Sequence, residues 1–108
     1  MDKRFSITDD IIGTSFWGYY IYCSVNTLKK IFGEPYYHEP SIYEKTQNEW
    51  RLVYKNIVFA IYDYKVDDLY NDDEIIEWHI GTYDENSSEK VTEVINEILD
   101  KLAEDGED

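Results

Sequence analysis

Residues 49–64 read EWRLVYKNIVFAIYDY, and this stretch decides the fold. Apolar side chains alternate on either side of Lys55-Asn56, which predicts two strands at 49–54 and 57–64, because successive side chains of a strand point to opposite faces. Asparagine tolerates the positive φ of a two-residue turn, so Lys55-Asn56 is the expected turn of a β-hairpin. A connection this short makes the strands antiparallel. The apolar face of the hairpin carries Trp50, Leu52, Phe59 and Ile61.

Two further segments have the composition of strands. FWGYYIYCSV at 16–25 is aromatic and β-branched, and IIEWHIG at 75–81 places large apolar side chains on one face. Residues 1–14 and 34–48 are rich in polar residues and are expected to be loops.

Two helices are expected. Residues 26–32 form the first, with Asn26 as its N-cap. A second helix is predicted from Ser87 or Ser88 to about Ala103, because its apolar residues recur at helical spacing. Those residues are Val91, Val94, Ile95, Ile98, Leu99 and Leu102.

The resulting order, β-α-β-β-β-α, predicts an α+β fold: a small antiparallel sheet of about four strands with the helices on one face. Residues 1–103 are expected to form one domain, since the length suits a single core. Residues 104–108 are expected to be a disordered acidic tail.

The charge is strongly acidic and unevenly placed. The chain has 24 acids, 10 bases and a formal net charge of −14. Residues 1–62 hold seven acids and seven bases, whereas residues 63–108 hold 17 acids and three lysines. Direct binding of nucleic acid is not expected, because it depends on Lys and Arg at phosphates. Docking on anionic lipid is disfavoured for the same reason.

The sequence lacks the motifs of common enzymes, metal sites and membrane proteins. The sequence has no nucleophile elbow, P-loop or dinucleotide fingerprint, so an enzyme is not expected. Cys23 is the one cysteine, and His38 and His79 do not form a ligand-spaced pair, so neither a metal nor another cofactor is expected. With no apolar run long enough for a membrane span and no signal peptide, a cytoplasmic protein is expected.

Residues 63–108, which carry the acidic excess, supply the first candidate surface. A one-signed surface attracts a partner of opposite charge and speeds its association. The partner-binding residues expected on this basis are Asp67, Asp68, Asp72, Asp73, Glu74, Asp84 and Glu85.

A polar and aromatic sheet face is the alternative site. The alternation of the strands places Arg51, Tyr62, Glu77 and His79 on the face away from the helices, and no segment is left over to cover it. Arginine is suited to a phosphate or carboxylate, so a small nucleotide is a possible ligand. The ligand-binding set expected here is Arg51, Tyr62, Lys65, Trp78 and His79.

Several segments also resemble a known family. They are FGEP at 32–35, EW at 49–50, IYDYK at 61–65 and EWHIG at 77–81. In this order they resemble a family of small phage and virus proteins with no established activity, over roughly residues 28–81. That pattern often continues with a second glycine, where this chain has Thr82. The resemblance implies a viral accessory protein and assigns no catalytic residue.

Three functions follow as hypotheses. The first is a viral antagonist in the host cytoplasm that mimics nucleic acid and inhibits a host or defence protein with a basic groove, such as a CRISPR effector. The second is a sponge for a nucleotide signal. The third is a homo-oligomeric assembly module that pairs through the tyrosine-rich strand, because an open strand edge can pair with another chain.

Overall fold

The computed structural model describes residues 2–38, 46–64 and 69–105. Its elements in chain order are β1 (Phe5–Ile7), β2 (Ser15–Cys23), α1 (Val25–Phe32), β3 (Tyr37–His38), β4 (Asn48–Tyr54), β5 (Ile57–Tyr62), β6 (Ile76–Thr82) and α2 (Glu85–Glu104). The strand order is β1-β4-β5-β6-β2, and β3 also pairs with β4. Every pairing is antiparallel. The predicted α+β fold with an antiparallel sheet is confirmed.

The β4–β5 hairpin forms as its sequence predicts. Lys55 and Asn56 both have positive φ, 45° and 67°, which a tight two-residue turn of this kind requires. The register pairs Trp50 with Ile61 and Leu52 with Phe59, so these four side chains share one face. All four are buried there.

The sheet is larger than predicted. β1 lies inside the expected loop 1–14, and β3 lies inside the expected loop 34–48. Both are short strands on the same edge of β4, where they pair with its backbone. Two or three residues are too few to show a periodic pattern, so the sequence alone did not predict them.

Both helices begin earlier than predicted. Ser24, not Asn26, is the N-cap of α1, since its hydroxyl accepts the Thr27 N–H. Asp84 is the N-cap of α2, where its carboxylate accepts the Ser87 N–H. α2 also includes Glu104, which was expected in the disordered tail. Asp105, also expected in that tail, is the C-cap of α2, and residues 106–108 lie outside the described residues.

The core lies between the sheet and the helices. Trp50 and Trp78 meet edge to face, with ring centroids 5.6 Å apart. Each indole N–H, although buried, donates to a backbone carbonyl at 2.9 Å, that of Gly33 for Trp50 and that of Cys23 for Trp78. Val91 and Ile95 of α2 are fully buried in the same cluster. The predicted apolar stripe of α2 is therefore its core face.

The opposite face of the sheet is partly covered. β1 and β2 lie at opposite edges, so residues 8–14 pass from one edge to the other. Arg51 Nη1 donates to the Asp9 carbonyl at 3.2 Å, which places the start of this connection on the face away from the helices. The expectation that no segment covers this face is therefore wrong near Asp9.

Candidate functional site

The outward side of α2 carries carboxylates along its whole length. They are Glu85, Glu89, Glu93, Glu97, Asp100 and Glu104, all exposed. At 100° per residue they occupy about a third of the helix circumference, and they span about 28 Å along its axis. Lys90 and Lys101 lie along one margin of this stripe. We call the six carboxylates the α2 acidic face.

Within the described residues, no ion pair joins the α2 acidic face to a lysine or arginine, while Lys90 and Lys101 border it and the charge of Arg4 acts on Glu97. The ion pairs among the described residues lie elsewhere: they join Arg4 to Asp2, Lys29 to Glu34 and Asp72, and Arg51 to Glu49. A one-signed helix face of this length projects a negative potential into solvent, where it attracts cations.

The predicted acidic residues lie at the two ends of α2. Asp84 and Glu85 are at its N-terminus, where the helix dipole favours negative charge. The Ser87 backbone N–H lowers the pKa of Asp84, so this carboxylate also has a structural role.

At the other end of α2 lies the loop that holds Asp72, Asp73 and Glu74. Asp73 lines a cleft of about 330 Å³ together with Leu99 and Ala103 of α2. Asp67 and Asp68 lie outside the described residues. The carboxylates between the two ends, Glu89 to Glu104, were not among the predicted partner-binding residues. Their spacing of three or four residues, which places them on one side of a helix, was the available signal.

The sheet face away from the helices carries a second cluster, centred on His79. The Phe16 ring stacks on the imidazole at 4.2 Å, and Tyr20 meets it edge-on at 5.1 Å. Tyr62 and Tyr64 lie at 5.4 and 5.6 Å. Desolvation by these surroundings lowers the pKa of His79, against the opposing charge of Glu77.

On each side of this cluster lie one tyrosine and one glutamate, which we call a tyrosine–glutamate pair: Tyr22 with Glu77, and Tyr36 with Glu49. The Tyr22 hydroxyl donates to Glu77 Oε2 at 3.0 Å on exposed parts of β2 and β6. On β4, Glu49 binds Arg51 at 2.5 Å, and the guanidinium lies 3.9 Å from the centroid of the Tyr36 ring. Arg51 is therefore held by a carboxylate and a ring at once.

The structure brings together only part of the predicted ligand set. Tyr62 and His79 are cross-strand neighbours. Arg51 is on the same face and already binds Glu49. Trp78 does not belong with them, because its side chain points into the core on the opposite face and is fully buried. Lys65 lies outside the described residues. Nucleotide binding stays a prediction.

A buried polar network lies near the end of β5. Asp63 is 1% exposed, and its Oδ1 accepts the N–H groups of Gln47 and Asn48 at 2.8 and 3.0 Å. Its Oδ2 accepts the Tyr70 hydroxyl at 2.8 Å, and that hydroxyl accepts from Asn48 Nδ2. His38 contacts Asn48 through Nδ1. The network joins the end of β5 to the start of β4, which is a structural role.

The described residues contain neither a cluster of metal ligands nor a membrane-spanning helix. In residues 2–38, 46–64 and 69–105, no three His, Cys, Asp or Glu side chains gather as metal ligands. Over the same ranges, neither helix is both long and apolar enough to cross a bilayer. Comparisons of this chain with protein families, curated proteins and solved structures return no match.

Proposed function

We propose that this protein is a non-enzymatic inhibitor that binds a basic groove of another protein through the α2 acidic face and competes there with nucleic acid. The observation that carries the proposal is the row of six exposed carboxylates without an ion pair to another described residue. Charge of one sign on a rigid element favours a partner of opposite sign and raises its association rate.

The loop carboxylates extend this surface. Asp73 adjoins the C-terminal turns of α2, and Asp84 begins the helix at its other end. A groove that normally holds a phosphate backbone presents Lys and Arg side chains in a row, which is the complement of this surface.

The charge of this protein and its sequence pattern both indicate a class of partner. We propose a host or defence protein in the cytoplasm, such as a CRISPR effector, on the sequence pattern of residues 28–81 alone, since the comparisons match no phage or virus protein. The acidity supports a partner that itself binds DNA or RNA.

Two variants with matched charge test the proposal. Glu89→Gln, Glu93→Gln and Glu97→Gln together remove three charges from the α2 acidic face. Asp9→Asn, Asp10→Asn and Glu34→Gln remove three charges elsewhere. Proteins retained by the wild-type chain from host lysate at low salt would be displaced with duplex DNA, purified and titrated against all three chains.

The α2 variant is expected to bind the DNA-displaced partner about tenfold more weakly, with a smaller salt dependence, because surface charge pairs are screened by salt. The control variant should bind like the wild type. Equal affinity of the α2 variant and the wild type would refute the proposal, as would a partner that DNA does not displace.

A further inference from the structure

One tyrosine–glutamate pair of the sheet face already holds a guanidinium. Arg51 lies between the Glu49 carboxylate and the Tyr36 ring, and its side chain also donates to the Asp9 carbonyl. This combines a charge-assisted hydrogen bond with a cation–π contact, the two interactions that favour arginine over lysine at a planar site.

The other pair, Tyr22 with Glu77, has the same two components and no ion pair with a described cation. Glu77 Oε2 accepts the Tyr22 hydroxyl, and the remaining carboxylate oxygen has no hydrogen bond to another described residue. Tyr22 is 58% exposed. The ring of Tyr20 lies 6.5 Å from that of Tyr22 at an interplanar angle of 30°, so a second aromatic ring lies beside this pair.

The charges around this pair favour a cation. His79 is close enough to feel the charge of Glu77, but burial lowers its pKa below 6.5, so near neutral pH it is mainly uncharged. Arg51 is engaged by Glu49. The negative charge of Glu77 therefore remains uncompensated by described residues, which disfavours a phosphate ligand here and favours a positively charged one.

We infer that Tyr22 and Glu77, with Tyr20 beside them, form a binding site for the guanidinium group of an arginine side chain on a partner protein. The guanidinium stacks on a tyrosine ring and donates to the free oxygen of Glu77, as Arg51 does with Tyr36 and Glu49. Glu77 and the Tyr22 hydroxyl lie on the sheet face away from α2, while Tyr22, on the edge strand β2, also lines the cleft beside Asp73 and Leu99. The site uses none of the carboxylates of the α2 acidic face.

The test uses a blocked glycyl-arginyl-glycine peptide and its citrulline counterpart, which keeps the planar shape and lacks the charge. Each is titrated into the full chain, with the ring resonances of Tyr20, Tyr22 and His79 followed by NMR. Glu77→Gln is compared with Glu89→Gln, which removes the same charge from the α2 acidic face. Circular dichroism checks that both variants fold.

The arginine peptide is expected to shift these ring resonances at millimolar concentration, and the citrulline peptide is not. Glu77→Gln should weaken binding about tenfold, since a charge-assisted hydrogen bond is lost. Glu89→Gln should leave binding unchanged. The inference is overturned if citrulline binds equally, if both variants weaken binding alike through bulk charge, or if the rings do not respond.

Discussion

At the residue scale, His79 gives the protein a defined response to acid. The pKa of His79 is lowered below its ordinary value of 6.5 by desolvation, which the charges of Glu77 and Asp63 oppose. The unfolded chain therefore takes up a proton at a higher pH than the folded chain does. The contribution of His79 to stability is present above pH 6.5 and is lost as the pH falls through its folded pKa.

We expect the free energy of unfolding to fall as the pH drops below 6.5 and through the folded pKa of His79, and to fall less in His79→Phe, which keeps an aromatic ring. Denaturant titrations of both chains across this range measure the difference. An NMR titration of the His79 imidazole should give a midpoint below 6.5. Identical pH dependence of the two chains would contradict this prediction.

Asp63 is the residue on which the polar network depends. Its carboxylate accepts from two backbone N–H groups and the Tyr70 hydroxyl, all with little access to water. Asp63→Asn keeps the shape of the side chain but replaces one carboxylate oxygen with an NH2 group. That NH2 group is a donor and faces a donor of the network, the Tyr70 hydroxyl or the two backbone N–H groups. We expect a loss of about 1–3 kcal/mol in the free energy of unfolding, as for a buried group left unsatisfied.

Asp73→Asn is the matched control for Asp63→Asn, because Asp73 is exposed and makes no hydrogen bond with another described residue. Its unfolding free energy should stay within about 0.5 kcal/mol of the wild type. Equal effects of the two substitutions in urea denaturation would show that the network adds nothing beyond surface charge.

At the scale of elements, the sequence predicted the β4–β5 hairpin but not the short edge strands β1 and β3. The hairpin at Lys55-Asn56 follows from alternation and from one residue that tolerates positive φ, and both were visible in the sequence. β1 and β3 form because the edge of β4 supplies backbone partners, which their own few residues do not encode. Short edge strands of this kind become predictable only once the central strand is placed.

The same distinction applies to the candidate site. Tyr62 and His79 were predicted on one face from the alternation of their strands, and they are cross-strand neighbours. Phe16 and Tyr20 were not assigned to this cluster. Their contact with His79 depends on the pairing of β2 with β6, which are distant in sequence, and on a register shift between Phe16 and Tyr20. No local signal specifies that register.

The prediction for α2 erred in its start, not in its face. Ser87 and Ser88 are good capping residues, but Asp84 lies three residues before Ser87 and accepts its N–H. The earlier start brings Glu85 into the first turn, so that the acidic face covers the whole helix. The apolar periodicity is unaffected by this change, which is why the core face was predicted correctly.

At the scale of the whole molecule, the two sides of the sheet carry different sets of carboxylates. The α2 acidic face and the loop at Asp73 are on the helix side of the sheet, while Glu49 and Glu77 are on the other side, among aromatic rings. The six carboxylates of the α2 acidic face thus form a row without an ion pair to another described residue. This arrangement suits attraction of a cationic partner and opposes self-association through α2, since like charges would meet.

The same excess charge should make the folded chain more stable in salt. With a net charge of −14, repulsion is stronger in the compact state than in the expanded unfolded chain. Raising sodium chloride from about 0.02 to 0.5 M shortens the screening length from roughly 20 Å to a few ångströms, so the Tm should rise by several degrees. Glu89→Gln, Glu93→Gln and Glu97→Gln together should reduce that rise, because the α2 acidic face is a main source of the repulsion. A Tm that falls with salt, or an equal rise in this variant, would show that the carboxylates do not act together as one charged surface.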